Sequence, residues 1–234
     1  MPENLDFFKN NVDFYSEEYK DFSLKPWERK MVDLLSGTEI LDVACGGGRV
    51  TIPMLKKGYN VTGTDFVEEF ESRIRRHESD FTGKFKFTVA RMDSLPFPDN
   101  TFDSVICVNS IVYMKSEDGV EKTIGEMARV LKLGGRLYFT SWNIWHPLWG
   151  TSIVLNYLLR RGKRFGETSP FFTMDKRAKH SHVNMFVPTK TELRRMCLDA
   201  GIWGDVYSSD EFTGDKRLLS CFKPIIVVAG VKLE

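Results

Sequence analysis

Apolar positions recur at helical spacing through the first 38 residues, then give way to short apolar runs alternating with helical segments. Leu5, Phe7, Phe8, Val12 and Tyr15 leave a rough stripe that predicts a helix, and Pro26 suits the first turn of a second one carrying Trp27, Met31, Leu34 and Leu35. From Glu39 to Trp142 the alternation is regular. EILDVA runs into a glycine cluster; Arg49 to Lys57 reads as a helix stopped by Gly58; NVTGTDF is a second strand and Val67 to His77 a second helix of this region. FKFTVARM and DSVICVN are the third and fourth strands, Ser116 to Leu131 is a long helix closed by Gly134 and Gly135, and GRLYFTSW is the fifth strand. Thr189 to Ala200 is a helix ended by Gly201, and CFKPIIVVAGVKL supplies a last strand. Such alternation predicts an α/β chain with a mostly parallel sheet and helices on both faces. Residues 143–187 are less regular and read as a lid or insertion.

Composition narrows the classes of partner. Lys plus Arg is 33 and Asp plus Glu 32, a net charge of +1, so no bulk field draws the chain to nucleic acid or a membrane surface. With 42% hydrophobic and 28% charged residues, the 234-residue chain can bury a sizeable core. No apolar run approaches the roughly 18–20 residues that span a bilayer. The opening MPENLDFFKNNVDF has no signal-peptide apolar core. Cys45, Cys107, Cys197 and Cys221 are widely spaced and form no CxxC pair, so neither a disulfide framework nor a structural zinc is expected, and a reducing cytoplasm is the expected setting. There is no internal repeat and no metal-ligand cluster.

The informative segment is Ile40-Leu41-Asp42-Val43-Ala44-Cys45-Gly46-Gly47-Gly48-Arg49. A strand that runs through glycines into a helix gives a turn that side chains would forbid and brings free backbone amides close to a ligand. Nineteen residues after Gly46, at the end of the second strand, stands Asp65, placed to accept both ribose hydroxyls of an adenosine-containing cofactor. An ordinary tight turn followed by a capping Asp would use the same residues. A dinucleotide dehydrogenase would prefer glycine at position 51, where this chain has Thr51, and has no need of Asp42, an acid that can reach the charged amino-acid end of a cofactor.

With these motifs in this order, the sequence resembles the class I S-adenosylmethionine-dependent methyltransferases, in the group that methylates small molecules and some tRNAs. LDVACGGGR is similar to the family's first motif, and Asp65 to its ribose-binding acid. Ala90-Arg91-Met92-Asp93-Ser94-Leu95-Pro96-Phe97 is similar to its adenine-pocket segment, FPDNTFDSVICVNSIVYM to its fourth-strand motif and EMARVLKLGGRLYFTSW to the segment closing the central sheet. The resemblance implies a Rossmann-like seven-stranded sheet whose last strand is antiparallel and inserted. It implies S-adenosyl-L-methionine as cofactor, held by Asp42, Ala44, Gly46, Gly48, Asp65, Phe66, Met92, Asp93, Asn109 and Tyr19. Met92 would lie on the adenine ring and Asp93 accept its amino group. Ala44 stands where the family often has glycine, and little effect on binding is expected from it. Residues 1–38 would form a helical cap over the cofactor, and 39–234 the methyltransferase domain with its lid at about 143–187.

Methyl transfer from a sulfonium needs alignment and exclusion of water more than acid–base help, and no metal. Asn109 and Tyr113, after the fourth strand, would face the methyl group; Tyr15, His180 and His182 are further candidates for the acceptor side. Asn109-Ser110-Ile111-Val112 lacks the Pro-Pro-aromatic run of amino-methylating nucleic-acid enzymes. Arg160, Arg161, Lys163, Arg164, Lys176, Arg177 and Lys179, interleaved with Phe165, Phe171 and Phe172, make either a solvated lid or an RNA-tracking surface. A small-molecule acceptor methylated at oxygen or nitrogen is thus the first expectation. A tRNA acceptor is the second, because LKPWERK and TSWN are loosely similar to wobble-uridine side-chain methyltransferases. A non-catalytic cofactor-binding protein is the third, and a dehydrogenase the fourth. The expected assembly is a monomer or homodimer.

Overall fold

A computed structural model describes residues 3–10, 12, 23–147, 150–151, 154, 157–158, 166–168, 185–215 and 223–233. Seven strands form one sheet: β1 (Glu39–Val43), β2 (Asn60–Asp65), β3 (Phe85–Val89), β4 (Phe102–Cys107), β5 (Leu131–Trp142), β8 (Ile202–Ser208) and β9 (Ile225–Lys232). β6 (Glu167–Thr168) and β7 (Met185–Phe186) form a separate antiparallel pair. The helices are α1 (Glu3–Asn10), α2 (Pro26–Asp33), α3 (Thr51–Lys56), α4 (Glu69–Arg75), α5 (Glu117–Val130), α6 (Lys190–Asp199) and α7 (Ser209–Thr213).

The sheet order is β3-β2-β1-β4-β5-β9-β8, and β9 runs antiparallel to both neighbours, inserted between β5 and β8. The Rossmann-like, seven-stranded architecture therefore matches the expectation. Strand order reverses between β1 and β4, and a crevice at such a switch point, beyond the strand carboxyl ends, is where α/β sheets bind ligands. The central strands are apolar throughout because both of their faces are covered: Ile40, Leu41, Val105 and Ile106 have no exposed surface. One core layer centres on Leu41, Val105, Ile124 and Phe139, the other on Ile40, Ile52, Leu55 and Ile106.

Two features of the sheet differ from the pattern reading. α5 is capped by Ser116, whose hydroxyl accepts from the Gly119 amide at 3.3 Å, but the helix ends at Val130 and Leu131 is already extended. Gly134, at φ +75°, serves a bulge instead of a helix cap: the pairing with β4 jumps from Phe102↔Leu131 to Ser104↔Arg136. β8 has no counterpart in the pattern reading, since Trp203, Gly204 and Asp205 are exposed and dilute its alternation. Gly204 is nevertheless required there, because a Cβ on it would lie 2.1 Å from the Ala229 carbonyl oxygen. At the amino end, Phe7 and Val12 are buried as the stripe predicts, while Tyr15 lies outside the described residues.

Candidate active site

The glycine loop is built from left-handed backbone. Ala44, Gly46 and Gly48 have φ of +56°, +52° and +87°. The Cys45 amide donates to the Thr64 carbonyl at 2.9 Å, which anchors the loop to β2, and the Gly48 amide donates to the Cys45 carbonyl at 3.1 Å. The glycines divide the work. A Cβ on Gly46 would meet nothing within 4 Å, so this main chain borders open space; a Cβ on Gly48 would lie 2.7 Å from Ile74 Cγ1. The Gly46 main chain thus faces open space, whereas Gly48, also expected from the sequence to hold cofactor, packs closely against Ile74, which lets α4 approach the loop. Ala44 also takes the left-handed conformation, which costs an alanine about 1–2 kcal/mol of folding stability.

Two buried carboxylates brace the loop. Asp65 Oδ2 accepts from the Gly46 amide at 3.0 Å and Oδ1 from the Val67 amide at 3.1 Å. Asp42 accepts from the Thr51 hydroxyl at 2.6 Å, which gives position 51 a purpose that glycine could not serve. Burial disfavours both charges, raising Asp42 to about 7 and Asp65 to about 6. A cationic ligand end beside Asp42 would relieve that penalty. Next to the loop, Arg49 pairs with Glu28, a fully buried acid on α2 that also accepts from the Lys25 amide at 2.9 Å. Sequence reasoning missed this tie, for nothing in the spacing joins residues 28 and 49. Burial raises the thiols of Cys45 and Cys107, and pushes Cys197 up to about 12, so all three are inert structural groups.

The segment after β3 places Met92 half-buried against the core and Asp93 in a two-bond pair with Arg91, Nε to Oδ1 at 2.8 Å and Nη2 to Oδ2 at 2.6 Å. The Arg91 guanidinium holds the Asp93 carboxyl below the usual range, so it stays an acceptor. A staple on α5 fixes the end of this segment: Glu126 accepts from the Leu95 amide at 2.7 Å, and Arg129 donates to the Leu95 and Phe97 carbonyls at 2.9 and 2.7 Å. The EMAR sequence carries this pair, but only the fold shows what it grips.

Beyond β4, Asn109 takes a left-handed conformation, φ +57°, and Ser110 donates to the Val108 carbonyl at 3.0 Å. Thr140 on β5, fully buried, accepts from the Asn109 amide at 2.7 Å and donates to Asn109 Oδ1 at 3.1 Å. Tyr113 closes a short 3₁₀ turn, Ile111–Tyr113. The ring of Phe8 from α1 stands edge-on to Tyr113 at 4.9 Å and to Phe66 at 5.5 Å. One aromatic of the first helix therefore joins the residue after the β2 acid to the turn after β4. Tyr15, Tyr19, His180, His182 and nearly all of the basic 160–179 segment lie outside the described residues. Among the described residues there is no group of side chains able to hold a metal ion and no helix long and apolar enough to cross a membrane.

Residues 40–135 match the family model described as a methyltransferase domain. The methyltransferase-like YqeM of Bacillus subtilis is 38% identical over 101 residues, which are 43% of this chain and 40% of YqeM; the chain thus spans about two fifths of that relative. A SAM-dependent methyltransferase structure from Methanosarcina mazei superposes with a TM-score of 0.68 at 23% identity, covering 91% of this chain and all of that one. A methyltransferase solved in complex with the Trm112 methyltransferase activator of Haloferax volcanii gives 0.64 at 17%, covering 97% and 98%. Residues 40–135 are thus similar to a methyltransferase domain, and the chain as a whole has the fold of these methyltransferase structures.

Proposed function

We propose that the protein transfers a methyl group from S-adenosyl-L-methionine to a small organic acceptor in the cytoplasm. The observation that carries this reading is the open space in front of Gly46, bordered by bare left-handed backbone and by the buried Asp65 carboxylate. The residues fit the cofactor: Gly46 and Asp65 would hold the ribose side, Met92 and Asp93 the adenine, and Asp42 would face the cationic amino-acid end. When bound, the cofactor supplies an activated methyl on a positive sulfur. The chain's part is to align the acceptor and exclude water, which is worth effective molarities on the order of 10⁵–10⁸ M. Phe8, between Phe66 and Tyr113, supports a capping role for residues 1–38, with residues 39–234 as the catalytic domain and 143–187 as its lid. Asn109 and Tyr113 are the proposed acceptor-side groups; Tyr15, His180 and His182 join them, and Tyr19 joins the cofactor-holding residues, as proposals from sequence alone.

Calorimetry with S-adenosylhomocysteine tests the cofactor site. Asp65→Ala should weaken binding by about 1–3 kcal/mol, the scale of hydrogen bonds lost from a charged group. Unchanged affinity would remove Asp65 from the site. The alternative of a tRNA acceptor rests on the basic 160–179 segment, and it predicts RNA binding that weakens steeply with salt.

A further inference from the structure

We infer that Thr140 is a positioning residue that turns the Asn109 carboxamide so that its amino end, not its carbonyl, meets the acceptor, and that the acceptor is consequently a carboxylate. The inference rests on the methyltransferase reading above and names the acceptor class for it. Asn109 lies just beyond the carboxyl end of β4, at the β1/β4 switch point, and Ser110 beside it reaches the Ala44 carbonyl of the glycine loop at 3.4 Å. The residue is half-buried and left-handed, a conformation that asparagine tolerates better than most side chains.

Proton counting fixes the carboxamide. Thr140 is fully buried, and its hydroxyl has one proton to give and lone pairs to receive. It receives the Asn109 backbone N–H at 2.7 Å and gives its proton to Oδ1 at 3.1 Å. Reversing the carboxamide would set Nδ2 against the hydroxyl and leave the buried Thr140 proton without an acceptor, which burial penalises. The carbonyl is therefore turned toward Thr140, with one of its two lone pairs used there. The amino end makes no hydrogen bond among the described residues and stays available as a donor.

A donor at this place suits an acceptor with spare lone pairs and no proton of its own. A carboxylate meets the condition with both oxygens: one accepts from Asn109 Nδ2 while the other attacks. The attacking lone pair forms the new O–CH₃ bond as the S–CH₃ bond breaks and its electrons pass to sulfur. The products are a methyl ester and a neutral thioether, with no proton released and no general base needed. A neutral amine has a single lone pair, which the attack on the methyl uses, so it keeps none for Asn109 Nδ2, and an ammonium would first have to lose a proton.

The test uses the full chain, methyl-tritiated S-adenosylmethionine and a pooled small-molecule extract of bacterial cells. Thr140→Val, Thr140→Ser and Asn109→Asp are compared with the unaltered protein. S-adenosylhomocysteine affinity by calorimetry should stay within about twofold in Thr140→Ser, which keeps both hydrogen bonds to Asn109, and any change in Thr140→Val is divided out of its transfer rate. The transferred label should be released as volatile methanol by mild base, marking an ester. Transfer should persist in Thr140→Ser, fall by ~100-fold in Thr140→Val through misplacement, and be lost in Asn109→Asp, which sets a negative charge against the acceptor. The rate should be flat between about pH 7.5 and 9, where an amine acceptor would climb about tenfold per unit. Base-stable label on nitrogen, equal transfer in the valine and serine variants, or a climbing pH profile overturns the inference and leaves the methyltransferase reading intact. Tight homocysteine-product binding with no label transferred overturns the transferase reading itself, and this inference with it.

Discussion

The two walls of the cleft are held in different ways. On the β1–β2 side the contacts come from main chain and from residues close in sequence: Gly46 to Asp65, Cys45 to Thr64, Thr51 to Asp42. On the β4–β5 side they come from side chains that the fold imports: Thr140 onto Asn109, and Phe8 onto Tyr113 and Phe66. On the proposed reading the first wall, built mostly from main chain, would hold the nucleoside, and the second, assembled from distant segments, would carry the acceptor preference.

The sharpest break of that comparison uses two glycines two residues apart. Gly48→Ala forces a left-handed alanine and drives its Cβ into Ile74, which should cost about 3 kcal/mol of stability, read as a lowered midpoint in denaturant unfolding. Gly46→Ala adds a Cβ into open space, so the fold should lose only about 1 kcal/mol while S-adenosylhomocysteine binding drops more than in any other glycine-loop variant. If both variants behave alike, the division between a ligand-facing and a packing glycine is wrong.

Of similar size is a pH effect confined to the first wall. Asp42 and Asp65 titrate at about 7 and 6 in the folded chain, above the 3.8 of a free carboxyl. Between those values the folded state binds more protons than the unfolded, so stability is greatest at low pH and falls as pH rises through the window. The unliganded protein should be more stable near pH 5 than near pH 8 by roughly 3–4 kcal/mol at this site, and Asp42→Asn should flatten the slope. A saturating cationic cofactor should flatten it as well. Melting curves across the range, with and without S-adenosylhomocysteine, check both statements.

The smallest effect is a gain. Ala44→Gly removes the left-handed penalty and should stabilise the chain by about 1 kcal/mol, less the extra freedom glycine has when unfolded. A loss of stability would mean that the alanine methyl contributes packing that outweighs its strain.

Much of the first wall was legible because its signals are local. A strand ending in glycines, an acid inside that strand and another at the next strand's end are fixed by covalent spacing, whatever packs around them. Reading the chemistry of each glycine was not possible from spacing alone: Gly46 and Gly48 look equivalent until Ile74 is seen against one of them. The second wall was half legible. Asn109 and Tyr113 follow from their place after the fourth strand, but Thr140 is an unremarkable member of an apolar run until the parallel pairing of β4 and β5 sets it against Asn109. Likewise Glu28 reads as a surface acid on a helix, and only the fold buries it against Arg49.

Along the chain alone, periodicity and glycine placement determined the α/β alternation and the glycine turn after the first strand, since backbone sterics and hydrophobic spacing act over a few residues, while the antiparallel finishing strand was implied by the family resemblance. Tertiary structure decided the bulge in β5, the edge strand β8, the anchoring of α2 and the orientation of Asn109. Each of these depends on a partner 20 or more residues away, and a sequence records which groups exist without recording which of them burial will bring together.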